Sequence, residues 1–425
     1  MSIDSHIWDY LVVGLLLLGV TLGSSWISRL PFSYALIYLI AGVLLGPYGF
    51  GIVDLQPGAE FLERLTEIVV IVSLFACGIK MNRPLNFWAW NSTVRLIGLL
   101  MPITIAAIAC VAHFLIGLNW GAAILLGAIL APTDPVLASE VQLADTDDCN
   151  ELRFGLTSEG GLNDAMAFPF VYFGLYWLKD SNWQNWFTFW SSVDLFWATS
   201  AGILGGILVA KLVSKLDKCS RRFHGIESEM EDLVALATIL LAYSLTEMIN
   251  GYGFLAVFVA GVVTRRSRAL EQERKTSQLH FTELLERLLE VGTILLLGSL
   301  LRVEPFYAYG TQALLVAVLL IFLIRPLGTW ISTIGDNLRP TTRLLYGWFG
   351  VRGVGSLYYL FYSLSDGVSG QIGSQLTWIT FFTVTLSMVL HGVSATPLMN
   401  WYEKRYGTEN RLEPESLETT EDDLL

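Results

Sequence analysis

The chain is 425 residues long, 53% hydrophobic and only 15% charged, against about 25% charged in an ordinary soluble domain. A soluble core cannot absorb that much apolar sequence, and a formal net charge of −12 offers no basic surface to nucleic acid. Apolar runs of about 20 residues recur along the whole length, each long enough to cross a hydrocarbon core about 30 Å thick. They are too long for barrel strands, so the expectation is an all-α polytopic membrane protein.

The N-terminal MSIDSHIWDYLVV lacks a basic n-region and an A-x-A cleavage site, so it reads as the start of a first span rather than a removable signal peptide. Hydropathy then gives about thirteen spans: residues 8 to 28, 34 to 49, 66 to 80, 93 to 117, 119 to 142, 155 to 178, 194 to 216, 230 to 249, 253 to 264, 284 to 301, 310 to 334, 341 to 363 and 376 to 400.

The fifth span, WGAAILLGAILAPTDPVLASEVQ, brackets Thr133 and Asp134 between Pro132 and Pro135. Each proline lacks an N–H and clashes with the preceding turn, so the pair should break the helix in mid-membrane. Broken backbone there is tolerated where it is buried in protein or lines a cavity. A simple proline kink beside a buried Asp is the plainer reading, and the added charge weighs against it.

The sixth span, FGLTSEGGLNDAMAFPF, carries Glu159, Asn163 and Asp164. Glu159 and Asn163 are four apart and share a helix face, with Asp164 turned about 100° from Asn163. An ionisable group at the bilayer centre costs at least about 2.5 kcal/mol, which makes it a functional-site candidate. Burial disfavours the charged form of a carboxylate, so such a group can hold either a proton or a small cation. The plain alternative is a salt-bridged structural carboxylate, a description that suits Glu159 better than Asp164.

Tryptophans between residues 177 and 197 read as interfacial anchors. The connection at 217 to 229 is charged, and 266 to 283 is expected to form a helix lying on the membrane surface. Arg325 in FLIRPLG and Arg352 in WFGVRGVGSLYYL fall within spans and are expected to pair with the buried acids. Gly350, Gly353 and Gly355 make the twelfth span a second candidate for interruption. The G-x-x-G-x-G spacing is not a nucleotide loop, because no strand precedes it and no G-K-[ST] follows. Spans five and twelve lie seven apart and so run in opposite directions, as corresponding members of inverted repeats do; paired broken helices point to a transporter's midplane site.

The chain ends in an acidic stretch (Glu409 to Asp423) that reads as a solvated tail, dividing the protein into a membrane domain, 1–402, and a tail, 403–425. Four scattered cysteines and five histidines show no ligand spacing, so neither a disulfide framework nor a metal or other cofactor is expected. Alternating the loops gathers most arginines and lysines, among them Lys80, Arg83, Arg153, Arg265 and Arg339, on one side, leaving chiefly Arg64, Lys179 and Arg302 opposite. The positive-inside rule then places the N-terminus outside and the tail in the cytoplasm of an inner (plasma) membrane.

PFSYALIYLIAGVLLGP, LFACGIKM, APTDP, EGGLNDA, FLIRPLG, GVRGVGSL and LHGVSATPL, taken in that order, resemble the monovalent cation:proton antiporter family and its NhaP-like sodium/proton branch. The resemblance implies a thirteen-helix fold, a homodimer, and alternating access by a six-helix core bundle moving against a dimerising bundle. It implies that Asp164 binds the ion and the proton, with Thr133 as a second sodium ligand. Asn163 is similar to the asparagine that replaces a second acid of electrogenic relatives. Asp134 and Arg352 look placed to balance half-helix ends, and Glu159 looks like the partner of Arg325. Where many relatives carry a serine directly after the glutamate, this chain has Gly160; Ser158, just before the glutamate, is counted with the ion-binding residues. The expected activity is an electroneutral exchange of sodium, or also lithium, for protons, with potassium/proton exchange as the alternative. A cation channel and an intramembrane aspartyl protease suit the sequence less well: no TVGYG-type filter is present, and Asp134 lies between prolines rather than in a dyad.

Overall fold

The computed structural model describes residues 33–53, 57–134, 150–223, 230–267 and 272–406, with the single positions 14, 18, 141 and 143. All regular structure among them is helical: α1 (Tyr34–Leu45), α2 (Ala59–Lys80), α3 (Asn91–Ile116), α4 (Trp120–Leu130), α5 (Glu151–Met166), α6 (Phe168–Lys179), α7 (Phe187–Ser220), α8 (Glu231–Glu247), α9 (Gly253–Arg266), α10 (Gln272–Leu300), α11 (Glu304–Ser332), α12 (Pro340–Trp348), α13 (Val354–Ser365) and α14 (Gly370–Tyr406). The span expected at 8 to 28, Pro135 and the tail beyond Tyr406 lie outside the described residues.

By length and composition α3, α7, α11 and α14 can each cross a bilayer on their own. These four also show much apolar surface, such as Leu99, Phe114, Leu204, Leu208, Phe322 and Val393. A soluble protein would hide these side chains; a multi-pass membrane protein turns them to lipid.

Helix starts follow capping chemistry. The Ser33 hydroxyl accepts from Leu36 N (3.4 Å), Asn119 Oδ1 from Ala122 N (2.9 Å), and Asn150 Oδ1 from Leu152 N (3.0 Å). Two glycine pairs let helices approach at backbone distance. A Cβ on Gly78 of α2 would fall 2.4 Å from Phe258 O of α9, and one on Gly42 of α1 would fall 2.3 Å from Leu295 O of α10. Their facing partners, Gly261 and Gly298, are equally crowded. Small residues at such contacts are how helices pack closely in lipid, where no hydrophobic drive joins them.

Both expected interruptions are present. α4 ends at Leu130 and the backbone runs non-helical through Ala131, Pro132, Thr133 and Asp134; α12 ends at Trp348 and α13 starts only at Val354. α13 packs against α2, α4 and α6, which sets the second break against the first in the protein's interior. Of the surface helix expected at 266 to 283, Arg266 ends α9, residues 268 to 271 lie outside the described residues, and residues 272 to 283 are the first part of α10, which runs unbroken for 29 residues. No glycine or proline interrupts it before Gly292, and Gln278, Leu279 and Thr282 are buried, so this stretch packs inside the protein.

Candidate functional site

The two breaks meet directly. Asp134 N donates to Val351 O (2.8 Å), joining the unwound backbone of one to that of the other. The Asp134 carboxylate accepts from Val354 N, the first amide of α13, which its own N-cap position, Gly353, cannot satisfy with a side chain. In the reverse sense, Arg352 Nη1 donates to Ala131 O (2.5 Å) and Pro132 O (2.8 Å), carbonyls left open where α4 stops. A carboxylate thus sits at the positive end of one half-helix and a guanidinium at the negative end of the other. Arg352 is fully buried and its backbone N donates to Ser387 Oγ (2.9 Å).

α5 runs past this crossing. Its Asn163 Nδ2 donates to Thr133 Oγ1 (2.7 Å), which ties α5 to the first break. The Asn163 Oδ1 and Asp164 Oδ1 atoms are both buried and make no hydrogen bond to the protein. Asp164 lies against the start of α13: a Cβ on Gly355 would fall 2.3 Å from Asp164 Oδ1, and the Tyr359 hydroxyl donates to Asp164 O. Two acceptor oxygens without donors, deep in the protein, call for a proton or a cation.

Glu159, one turn earlier on α5, has a different environment. Arg325 grips it in a two-pronged pair, Nη1 to Oε1 at 2.6 Å and Nη2 to Oε2 at 2.8 Å, with both side chains about 3% exposed. Arg325 Nη2 also donates to Tyr346 O (3.1 Å). Gly350 makes room for this pair, since a Cβ there would fall 2.3 Å from Arg325 Cδ.

Thr133, Asp134, Asn163, Asp164 and Arg352 therefore come together, and Glu159 and Arg325 pair beside them. Ser158 does not join them: its hydroxyl is bonded to Thr93 Oγ1 (2.5 Å) and to Gly155 O (3.1 Å), facing α3. Two neighbours were not anticipated from the sequence, Tyr359 and Ser387, and Ser356, next to Gly355 on α13, is buried with a hydroxyl that lacks a partner. Ser356 and Tyr359 continue, three apart, the α13 face that begins at the glycines, and that spacing is the signal that would have found them. The donors gathered here, Thr133 Oγ1, Asn163 Oδ1 and Asp164 Oδ1, are all oxygens, the ligand type of hard cations.

The family model described as "Sodium/hydrogen exchanger, transmembrane" matches residues 13–401. The K(+)/H(+) antiporter NhaP of Alkalimonas amylolytica is 28% identical over 400 residues, 92% of this chain and 66% of that protein. The K(+)/H(+) antiporter NhaP2 of Shewanella sp. (strain MR-4) is 26% identical over 407 residues, 93% of this chain and 67% of its own length. A probable Na(+)/H(+) antiporter of Schizosaccharomyces pombe is 23% identical over 340 residues, 75% of this chain and 43% of that protein. The chain thus spans about two thirds or less of these relatives. The solved structure of the sodium proton antiporter MjNhaP1 from Methanocaldococcus jannaschii at pH 8 aligns with a TM-score of 0.73 at 23% identity, covering 93% of this chain and 98% of that one, so the two share a fold.

Proposed function

The chain belongs to the sodium/hydrogen exchanger family, and from that premise we propose that it is a secondary antiporter exchanging protons for a monovalent cation by alternating access. The observation that carries this reading is the pair of buried oxygens without donors, Asp164 Oδ1 and Asn163 Oδ1, beside the crossed chain breaks. Asp164 binds either the proton or the cation, so one cannot be loaded until the other leaves. Thr133 and Asn163 supply neutral oxygens. Asp134 and Arg352 hold the half-helix ends, and the Glu159–Arg325 pair keeps its charges matched throughout the cycle. Sodium, with lithium, is the expected cation on the NhaP-like motifs; potassium is the second reading, favoured by the names of two of the relatives. The working unit is a homodimer in the inner membrane, with the N-terminus outside and residues 403–425 in the cytoplasm, and its core follows the inverted-repeat plan of broken helices.

Because Asn163 cannot ionise, the site carries the same charge whether loaded with a proton or a monovalent cation, and exchange is one for one and electrically silent. The test is dissipation of a preset pH gradient in proteoliposomes by sodium, lithium, potassium and rubidium. Collapse of the gradient by at least one cation is expected, with a rate unmoved by an imposed membrane potential. A gradient that no cation collapses refutes the antiporter, and a rate that follows the potential refutes the single-carboxylate stoichiometry.

A further inference from the structure

A second polar group lies apart from the crossing, in the contact between α2 and α10. Along the buried side of α10, Glu283, Glu286 and Glu290 follow one another at spacings of three and four, so all three share one face. Opposite them α2 presents Ser73, Cys77 and Lys80, again at a spacing of four and three. Lys80 Nζ binds Glu283 Oε1 at 2.8 Å and lies close enough to Glu286 for the charges to interact. One lysine therefore faces at least two carboxylates in a helix contact where Lys80 and Glu286 are each only 8% exposed. His280 Nδ1 also lies 3.9 Å from Glu283 Oε2, so the buried carboxylate of this group with no ion pair within 4 Å among the described residues is Glu286, and a buried carboxylate is costly there.

The Ser73 hydroxyl is the second observation. Ser73 is 2% exposed and its hydroxyl is directed at the Glu286 carboxylate, to which it donates at the margin of hydrogen-bonding geometry, so that its lone pairs are left without a donor. A serine in a helix usually satisfies itself on the carbonyl one turn back, as Thr66 does on the same helix with Leu62 O at 2.7 Å. Ser73 instead leaves an oxygen open beside a carboxylate, which is a ligand arrangement for a small cation.

Farther along, α10 approaches the second break. Thr293 lies seven residues beyond Glu286 on α10, about 10 Å along the axis, and lines a small void with Gly353 and Val354 of the second break. Val354 N is the amide that Asp134 caps, and Asp134 and Glu286 are near enough for their charges to be felt by each other. From α1, Tyr38 faces Glu290. α8 contributes Asp232, which accepts from Ser277 Oγ (2.6 Å) nine residues before Glu286.

We propose that Glu286 and Ser73, with Lys80 and Glu283 at the mouth, form a second monovalent-cation station between α2 and α10 that loads the Asp164 site from the membrane face carrying Lys80. The carboxylate of Glu286 and the hydroxyl of Ser73 are its ligands, and Lys80 pairs with Glu283 at 2.8 Å. This rests on the antiporter reading for its role in transport, but not for the binding itself.

Two measurements separate the claims. The first is equilibrium binding of radioactive sodium, and of thallous ion as a potassium surrogate, to purified protein in detergent. Wild type is expected to bind two ions per chain and Asp164→Asn one. Adding Glu286→Gln to Asp164→Asn should abolish the remainder, and adding Glu286→Asp should retain it. An Asp164→Asn variant that binds no ion overturns the station whatever the protein transports. The second is exchange in oriented proteoliposomes with the cation supplied from one face at a time. Ser73→Ala and Glu286→Gln should raise the KM for cation on the Lys80 face roughly tenfold, leaving the KM on the other face and the maximal rate near wild type. Should Glu286→Gln not fold, Ser73→Ala carries the test alone. Equal KM values on both faces for variant and wild type would also overturn the station, while leaving the antiporter standing.

Discussion

Replacing Arg325 by alanine tests the buried pair most directly. The substitution removes two hydrogen bonds to Glu159 and one to Tyr346 O, and leaves the Glu159 carboxylate about 2% exposed without its counter-charge. Breaking one side of such a pair costs about 3–5 kcal/mol, most of it the penalty of a stranded charge rather than of lost contacts. A second change, Glu159→Gln, neutralises that charge. The Arg325→Ala/Glu159→Gln double variant should therefore be more stable than Arg325→Ala alone, by a coupling of about 1–3 kcal/mol. Thermal unfolding of all four proteins in one detergent, followed by tryptophan fluorescence and by the monodisperse fraction on size exclusion, gives the order. The expected ranking is wild type, then the double variant, then Arg325→Ala. An Arg325→Ala protein that melts with wild type, or a double variant that melts below it, refutes the stranded-charge argument.

Asp164→Asn should insert and melt like wild type yet show no cation-driven proton movement; near-normal flux would remove Asp164 from the site. Gly355→Ala places a methyl group where Asp164 Oδ1 now sits, 2.3 Å from the new Cβ, so apparent cation affinity should fall at least tenfold, and an unchanged KM would show that Asp164 and α13 are not in contact during transport. Asp134→Ala leaves the first amide of α13 uncapped and should cost about 0.5–2 kcal/mol, visible as a lower melting temperature than wild type but a higher one than Arg325→Ala. In a variant lacking Cys77, Cys110, Cys149 and Cys219, single cysteines at positions 2 and 419 should react oppositely with an impermeant maleimide in intact cells; equal labelling would mean an even number of spans between them.

The features most legible in the sequence are those with a large local cost. Pro132 and the glycines at 350, 353 and 355 cannot continue a helix cheaply, so both breaks were readable, and charges at Glu159, Asp164, Arg325 and Arg352 are too expensive in lipid to be incidental. That cost called for the arginines to pair with buried acids, and the family resemblance named Glu159 as the partner of Arg325, the contact that the structure shows. What was not legible depends on which neighbour a helix face meets. Ser158 is one residue from Glu159, and only the packing of α3 against α5 shows that its hydroxyl is spent on Thr93. The approach of Gly78 to Gly261 joins residues 183 positions apart, and no local pattern announces it. Residues 266 to 283 looked like a surface helix because they are charged, and the uncharged Gln278, Leu279 and Thr282 prove to be a buried face at the start of α10: amphipathic spacing says that a face differs, and leaves open whether water or another helix covers it.

The division of labour among the buried charges bears on selectivity. Asp134 is engaged by backbone amides, Arg352 by backbone carbonyls and Glu159 by a guanidinium, so each is held by a partner that moves only if a helix end moves. Asp164 differs, because its Oδ1 has no protein donor. Asn163 reinforces the difference: by giving an amide hydrogen to Thr133 Oγ1 it turns its acceptor oxygen into the unsatisfied end of the side chain. On the proposed reading, a proton or a small cation satisfies these two oxygens without disturbing the crossing. If Asp164 is the loading site, as proposed, three charges fixed to the scaffold and one left to its ligand allow loading to change the local charge without breaking a structural contact, which is the condition for the same backbone to accept two ligands in turn.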